Sequence, residues 1–166
     1  MTLLSGRFRD PRSTKCDFLG LIMVRCPGCG KAARVVPAPE EYEAGNRCVF
    51  RPRRLVCRGC GLSRVCNGRS LSFSSGRAHP VTDPYFGLPL WLQLETRHGR
   101  LWAYNLEHLD LIHRFVRATL RERAPWYDIG RKMTLVARLP AWIKHAKNRD
   151  EILRAISRLH ASLLAD

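Results

Sequence analysis

The sequence predicts an α+β protein: an antiparallel β-ribbon on the N-terminal side, then an aromatic β-hairpin packed on two to three helices. Three observations carry that expectation. Two Cys-x-x-Cys-Gly turns, "CPGCG" at 26–30 and "CRGCG" at 57–61, each lie between short apolar segments. The stretch Asp83 to Asn105, "DPYFGLPLWLQLETRHGRLWAYN", runs up to and back from a tight turn and carries Tyr85, Phe86, Trp91, Trp102 and Tyr104. Beyond it, apolar residues recur at helical spacing in two runs. These shifts of character divide the chain into a ribbon at 1–67, a linker at 68–80 and a hairpin-plus-helix region at 81–166.

Residues 1–10, "MTLLSGRFRD", show neither the apolar stretch nor the small-residue cleavage site of a secretory signal. The longest apolar stretch, Tyr85 to Leu94, is broken by Pro89 and is too short to cross a bilayer. The expectation is a soluble, cytoplasmic protein. In a reducing compartment, seven cysteines that include two Cys-x-x-Cys pairs point to metal before disulfides.

The pairs are Cys26 with Cys29 and, 27 residues further on, Cys57 with Cys60. Two thiolates two residues apart grip one ion only if the backbone turns tightly between them. Gly30 and Gly61, each following the second cysteine, permit the positive φ that such a turn needs. Pro27 presets the start of the first turn. Four soft ligands suit tetrahedral Zn²⁺ and leave no open coordination position. "LIMVRC", "ARVVP", "RRLVC" and "GLSRVC" flank the turns as strands. A redox Cys-x-x-Cys needs a strand-to-helix setting, and a zinc deaminase needs an upstream His-x-Glu; neither is present. Cys16, Cys48 and Cys66 are read as ordinary thiols.

On these residues the segment from about Leu21 to Cys66 resembles the zinc ribbons of transcription factors, ribosomal proteins and topoisomerase tails. "DPYFGLPLWLQ", "LWAYN", "HLDLIHRFV", "LRER", "LPAWIK" and "AKNRDEI" resemble segments of uncharacterised bacterial proteins with an N-terminal zinc ribbon. That resemblance implies a recurring architecture and the ligands Cys26, Cys29, Cys57 and Cys60. It implies no activity.

The chain carries 29 basic against 14 acidic residues, a formal charge of +15, with pI near 10.4. A globular protein this basic usually meets a polyanion. Of its cations 24 are Arg, whose planar fork matches phosphate better than the Lys point charge does, although an Arg-favouring genome produces the same bias. The first 80 residues hold 15 basic and 5 acidic side chains, the remainder 14 and 9. The ribbon is therefore the expected polyanion-facing part, with Arg51, Arg53, Arg54, Arg58 and Arg64 on phosphates and Phe50 available for stacking. Strand alternation puts Arg51 and Arg53 on one face with Phe50 opposite. The insert between the turns begins acidic, Glu40, Glu41 and Glu43, and ends basic, from Arg47 onward.

Gly68 to His79 is Ser/Gly-rich and reads as a loop. In the hairpin that follows, "RHG" is the turn, His98 lies exposed at its tip, and Trp91 and Trp102 face one core. Asn105 caps a helix running to about Arg123, with Leu106, Leu109, Ile112, Val116 and Leu120 as its apolar stripe and Arg114, Arg117 and Arg121 beside it. Asp110 is placed to pair with Arg114, and Pro125 ends the helix. Tyr127 to Leu139 forms a short helix, and Trp142, Lys144, His145 and Lys147 mark a basic amphipathic piece. Asn148 with Glu151 forms a capping box for a last helix buried through Ile152, Ile156, Leu159 and Leu163.

No paired carboxylates, nucleophile–base set or phosphate loop is visible, so no enzyme is expected. The functional expectation is non-catalytic nucleic-acid binding, DNA or RNA, with weak sequence preference. The alternative is an adaptor docking on a larger transcription, translation or defence complex through Tyr85 and Phe86.

Overall fold

The computed structural model describes residues 6–39, 50–73, 80–122 and 134–165. Strands β2 (Ile22–Arg25), β3 (Ala32–Pro37), β4 (Arg53–Val56) and β5 (Ser63–Cys66) form one antiparallel sheet in sequential order. They coincide with the four apolar segments that flank the cysteine turns. The register aligns Ile22, Val35 and Leu55 across three strands, and all three are fully buried. Strands β6 (Gln93–Thr96) and β7 (Gly99–Trp102) form the expected hairpin, turning through Arg97 and His98. A short parallel pair joins β1 (Arg7–Phe8) to β8 (Leu120–Arg121). The helices are α1 (Leu106–Arg117), the single turn α2 (Ala141–Lys144) and α3 (Arg149–Leu164).

The free side of β2 does not face solvent. Its backbone exchanges hydrogen bonds with the chain around Leu90: Arg25 N donates to Pro89 O at 2.8 Å and Trp91 N to Met23 O at 2.9 Å. Met23 N donates to Tyr104 O at 2.8 Å. The buried residues of the sheet, the hairpin and the helices belong to one cluster, from Ile22 and Leu55 through Leu92 and Leu101 to Ile112 and Ile156. Asp83 shapes the turn leading into this pairing. Its carboxylate accepts from the N–H groups of Tyr85, Phe86 and Leu88 at 2.7–2.9 Å. Burial pushes that carboxyl above the usual aspartate range, and the three N–H groups oppose the push.

Asn105 caps α1 as expected: its Oδ1 accepts from His108 N at 2.8 Å. The same side chain does more, because its Nδ2 donates to Phe18 O and Leu21 O at 2.9 and 2.8 Å. It thereby ties the 3-10 turn Lys15–Phe18 to the helix. The Asp110–Arg114 pair is present at 2.9 Å. The helix stops at Arg117 rather than Arg123. Ala118 is extended (ψ 132°), and Arg149 on the neighbouring helix donates to the carbonyls of Val116 and Ala118, both at 3.1 Å. The chain then turns out to pair with β1. Leu106 and Leu120, expected in the buried stripe, are exposed; His108, Leu111 and Phe115 take their place beside Leu109, Ile112 and Val116.

Asn148 precedes α3 but makes no capping bond; its Nδ2 donates to Trp142 O at 2.8 Å instead. Glu151, the other half of the expected capping box, pairs with Arg97 at 2.8 Å and His98 at 3.4 Å. His98 is therefore half-buried and stacked on Trp142 rather than free at the turn tip. Trp91 and Trp102 do not share a setting. Trp91 lies under the Arg25 guanidinium, 5.0 Å from its centroid, whereas Trp102 packs edge-on against Tyr104 and His108. Residues 134–139 form a turn, not a helix, and the rest of the short helix expected from Tyr127 lies outside the described residues, as does Pro125.

Replacing Asn105 with Ala removes a cap and leaves two carbonyls short of a donor. The expected cost is about 2–4 kcal/mol of stability, read as a shift of the urea midpoint at unchanged slope. Asn105→Asp keeps the cap acceptor and loses the donor, so it is expected to recover only part of the loss.

Candidate metal centre and ribbon surface

The two turns are built alike. Cys26 N donates to Lys31 O at 2.8 Å and Gly30 N to Cys26 O at 2.9 Å; Cys57 N donates to Leu62 O at 2.9 Å and Gly61 N to Cys57 O at 3.0 Å. Gly30 and Gly61 both have φ of +74°, the left-handed conformation their position requires. Because β3 and β4 are neighbours, the turns lie side by side and the four sulfurs converge. Cys26 Sγ is 3.7 Å from Cys60 Sγ, Cys29 Sγ is 3.5 Å from Cys57 Sγ, and all four lie within 4.8 Å of one another. Such a cluster can hold one metal ion with four sulfur ligands.

The electrostatics fit a site made for a cation. Burial pushes the Cys26 thiol up, but the N–H groups of Cys29 and Gly28 and the neighbouring thiols outweigh it, and its pKa falls to about 6. The Gly28 N–H donates to Cys26 Sγ at 3.3 Å. Cys29 goes the other way. Although the Lys31 N–H favours its thiolate, burial and the sulfurs around it prevail and push it up to about 12. Four thiols this close cannot all ionise unless a cation joins them. Among the described residues these four cysteines are the only such group. Cys16 is exposed, Cys66 is half-buried with its Sγ 3.6 Å from Tyr85 O, and Cys48 lies outside the described residues.

The ribbon arginines divide by face. Arg54 is exposed and donates to Ser63 Oγ at 3.0 Å; Arg58 and Arg64 are exposed, and Phe50 is 42% exposed. Arg51 is half-buried. Arg53 is a correction. It is fully buried, donates to Leu19 O at 2.7 Å and stacks its guanidinium 4.6 Å from the Tyr85 ring centroid, so it is not on the phosphate-facing surface. It shares a strand face with Leu55, which belongs to the core. Tyr85, expected in the adaptor reading to be a docking aromatic, is buried beneath it, while Phe86 is partly buried.

Arg34, which the sequence reading passed over, takes an outward place. It pairs in register with Val56 and lies on the same face as Arg54 and Arg25. The alternation Ala33-Arg34-Val35 was the available signal. Across the segments that carry the four-stranded sheet, 21–39 and 50–67, there are eight Arg and Lys residues and no Asp or Glu. Glu40, Glu41, Glu43 and Arg47 lie outside the described residues. Among the described residues no helix is long and apolar enough to cross a membrane.

Two outcomes are expected. Metal binding must displace thiol protons, so affinity should fall as pH is lowered from about 8 to about 6, with proton release measurable by calorimetry in buffers of different ionisation enthalpy. Arg53→Ala should cost roughly 2–4 kcal/mol of stability through a lost charged hydrogen bond and a cavity. Arg54→Ala should stay within about 0.5 kcal/mol, with both read by thermal or urea unfolding of metal-loaded protein.

No family profile, no curated protein and no solved structure matches the chain.

Proposed function

We propose that the four cysteines hold Zn²⁺ as a closed structural site, and that the chain is a non-catalytic zinc-ribbon protein whose ribbon binds nucleic acid. The zinc identity is supported by the all-sulfur donor set and its tetrahedron-sized spacing, which leave no position for a water or substrate. The observation that carries the nucleic-acid reading is the outward ribbon surface. Arg34 and Arg54 are exposed there on one sheet face, with exposed Arg58 on the neighbouring turn. Arg64 is exposed on the edge strand but lies in register with Leu55 on the other face, and segments 21–39 and 50–67 hold no acidic residue to neutralise any of them. Phosphate contacts of this kind are indifferent to base identity, and no side-chain set for reading base edges accompanies them, so the expected preference is for charge and strand form rather than sequence.

A second reading is a protein-docking adaptor. It draws on the edge strand β5, where Val65 is 64% exposed next to exposed Arg64. Apolar exposure on a strand that ends its sheet among the described residues suits a protein partner better than a phosphate backbone.

A salt series with fluorescent single- and double-stranded DNA and RNA tests the first reading on zinc-loaded protein. Log affinity should fall steeply with log salt. Arg34→Ala and Arg54→Ala should each weaken binding and reduce the slope by about 0.7–0.9. Binding that ignores salt, or that survives both substitutions unchanged, would sink the nucleic-acid reading. Retention of a protein partner that is lost in Val65→Ser but kept in Arg54→Ala would favour the adaptor.

A further inference from the structure

Between the 3-10 turn, the hairpin and the chain at 135–143 lies a cavity of about 170 Å³. Lys15, Arg100, Arg138, His108 and Trp102 line it over an aliphatic floor that includes Ile112, Leu135 and Ile143. Among the described residues no metal-site cysteine, no ribbon arginine and no carboxylate lines it. It is smaller than the roughly 300–1,000 Å³ of pockets that take drug-sized molecules.

Its polar groups are arranged for an anion. Lys15 Nζ lies 5.8 Å from the Trp102 ring centroid and 5.9 Å from that of Phe73, among apolar and aromatic neighbours. Burial, and after it the charge of Arg138, hold this ammonium below the usual lysine range. A like charge beside a half-buried ammonium is a cost that a bound anion would relieve. Arg100 is already held by Glu95 at 2.8 Å, so it contributes field and shape.

His108 supplies the directional group. It is 2% exposed, stacked on Phe18 and edge-on to Trp102. Its Nδ1 accepts from Tyr104 N at 3.1 Å. Burial, with Lys15 second, pushes its pKa down to about 3, so the ring is neutral and its one proton sits on Nε2. Among the described residues nothing accepts from that N–H. His108 is in the cavity wall, where a ligand oxygen can accept from that N–H.

We propose that this cavity binds a small organic carboxylate, its head group between Lys15 and the His108 Nε2–H and its single ring or short chain against Trp102, Leu135 and Ile143. The proposal is independent of the zinc and nucleic-acid readings, since it uses none of their residues.

Titration of the zinc-loaded full chain with sodium benzoate, followed by ¹H–¹⁵N spectra, tests it. The Trp102 indole and His108 ring signals should shift saturably, with half-saturation below about 5 mM, an affinity in the range expected of a fragment-sized ligand. Benzamide, the neutral isostere, and inorganic phosphate, a bare anion, should each bind at least about tenfold more weakly, a difference of about 1.4 kcal/mol. Lys15→Met should lose the benzoate response while leaving distant signals in place. No saturable shift, equal binding of benzamide, equal binding of phosphate, or an unaltered response in Lys15→Met would each overturn the proposal. The benzoate, benzamide and phosphate arms use unsubstituted protein, so they decide even if the variant fails to fold.

Discussion

Four sulfurs within 4.8 Å of one another set the geometry from which the rest of the ribbon follows. Each pair sits on a turn that only a left-handed glycine closes. The pairing of β3 with β4 that sets the turns side by side also aligns Val35 with Leu55 on the inward face. The inward face then has to be covered, and the hairpin and helices cover it. A thiol held at a pKa of about 12 among its neighbours shows how strongly this arrangement calls for a cation.

The second level of organisation is the seam between the ribbon and the aromatic segment. Backbone hydrogen bonds from β2 to the chain around Leu90 make that seam partly a sheet. Arg53 reinforces it by reaching the Leu19 carbonyl while lying over Tyr85. A buried guanidinium with a stacked ring and a carbonyl acceptor is tolerated because its planar, weakly hydrated head is less costly to desolvate than an ammonium. The charge of the ribbon is therefore used in two ways, inside as a fastening and outside as a field.

Much of this was legible in the sequence. The cysteine spacing gave the metal-site residues, and the apolar segments beside the turns gave all four ribbon strands. Asn105 and the Asp110–Arg114 pair followed from local helix chemistry. What failed was reading faces from a short run of arginines. Alternation puts Arg51 and Arg53 on one face, but Leu55 continues the same alternation inward and decides the face of Arg53. Helix ends were also misjudged, because the stop after Arg117 depends on Arg149, far away in sequence. The capping box at Asn148 and Glu151 lost to tertiary partners, Trp142 on one side and Arg97 with His98 on the other. The cavity around His108 left no sequence signal, since its walls come from four separated segments.

The parallel pairing of β1 with β8 has a consequence for how the chain closes on itself. The cysteine turns close a loop of about thirty residues, whereas Arg9 meets Glu122 across 113 positions. Loop-closure entropy grows slowly with length, but long-range contacts form only after the intervening chain is in place. The strand at Arg7–Phe8 is therefore a costly closure to make, and it is made beside the end of α1 that Arg149 holds. What that closure adds is Phe8, buried edge-on against Phe115, so the N-terminal end of the described chain meets α1 in the core rather than at its surface.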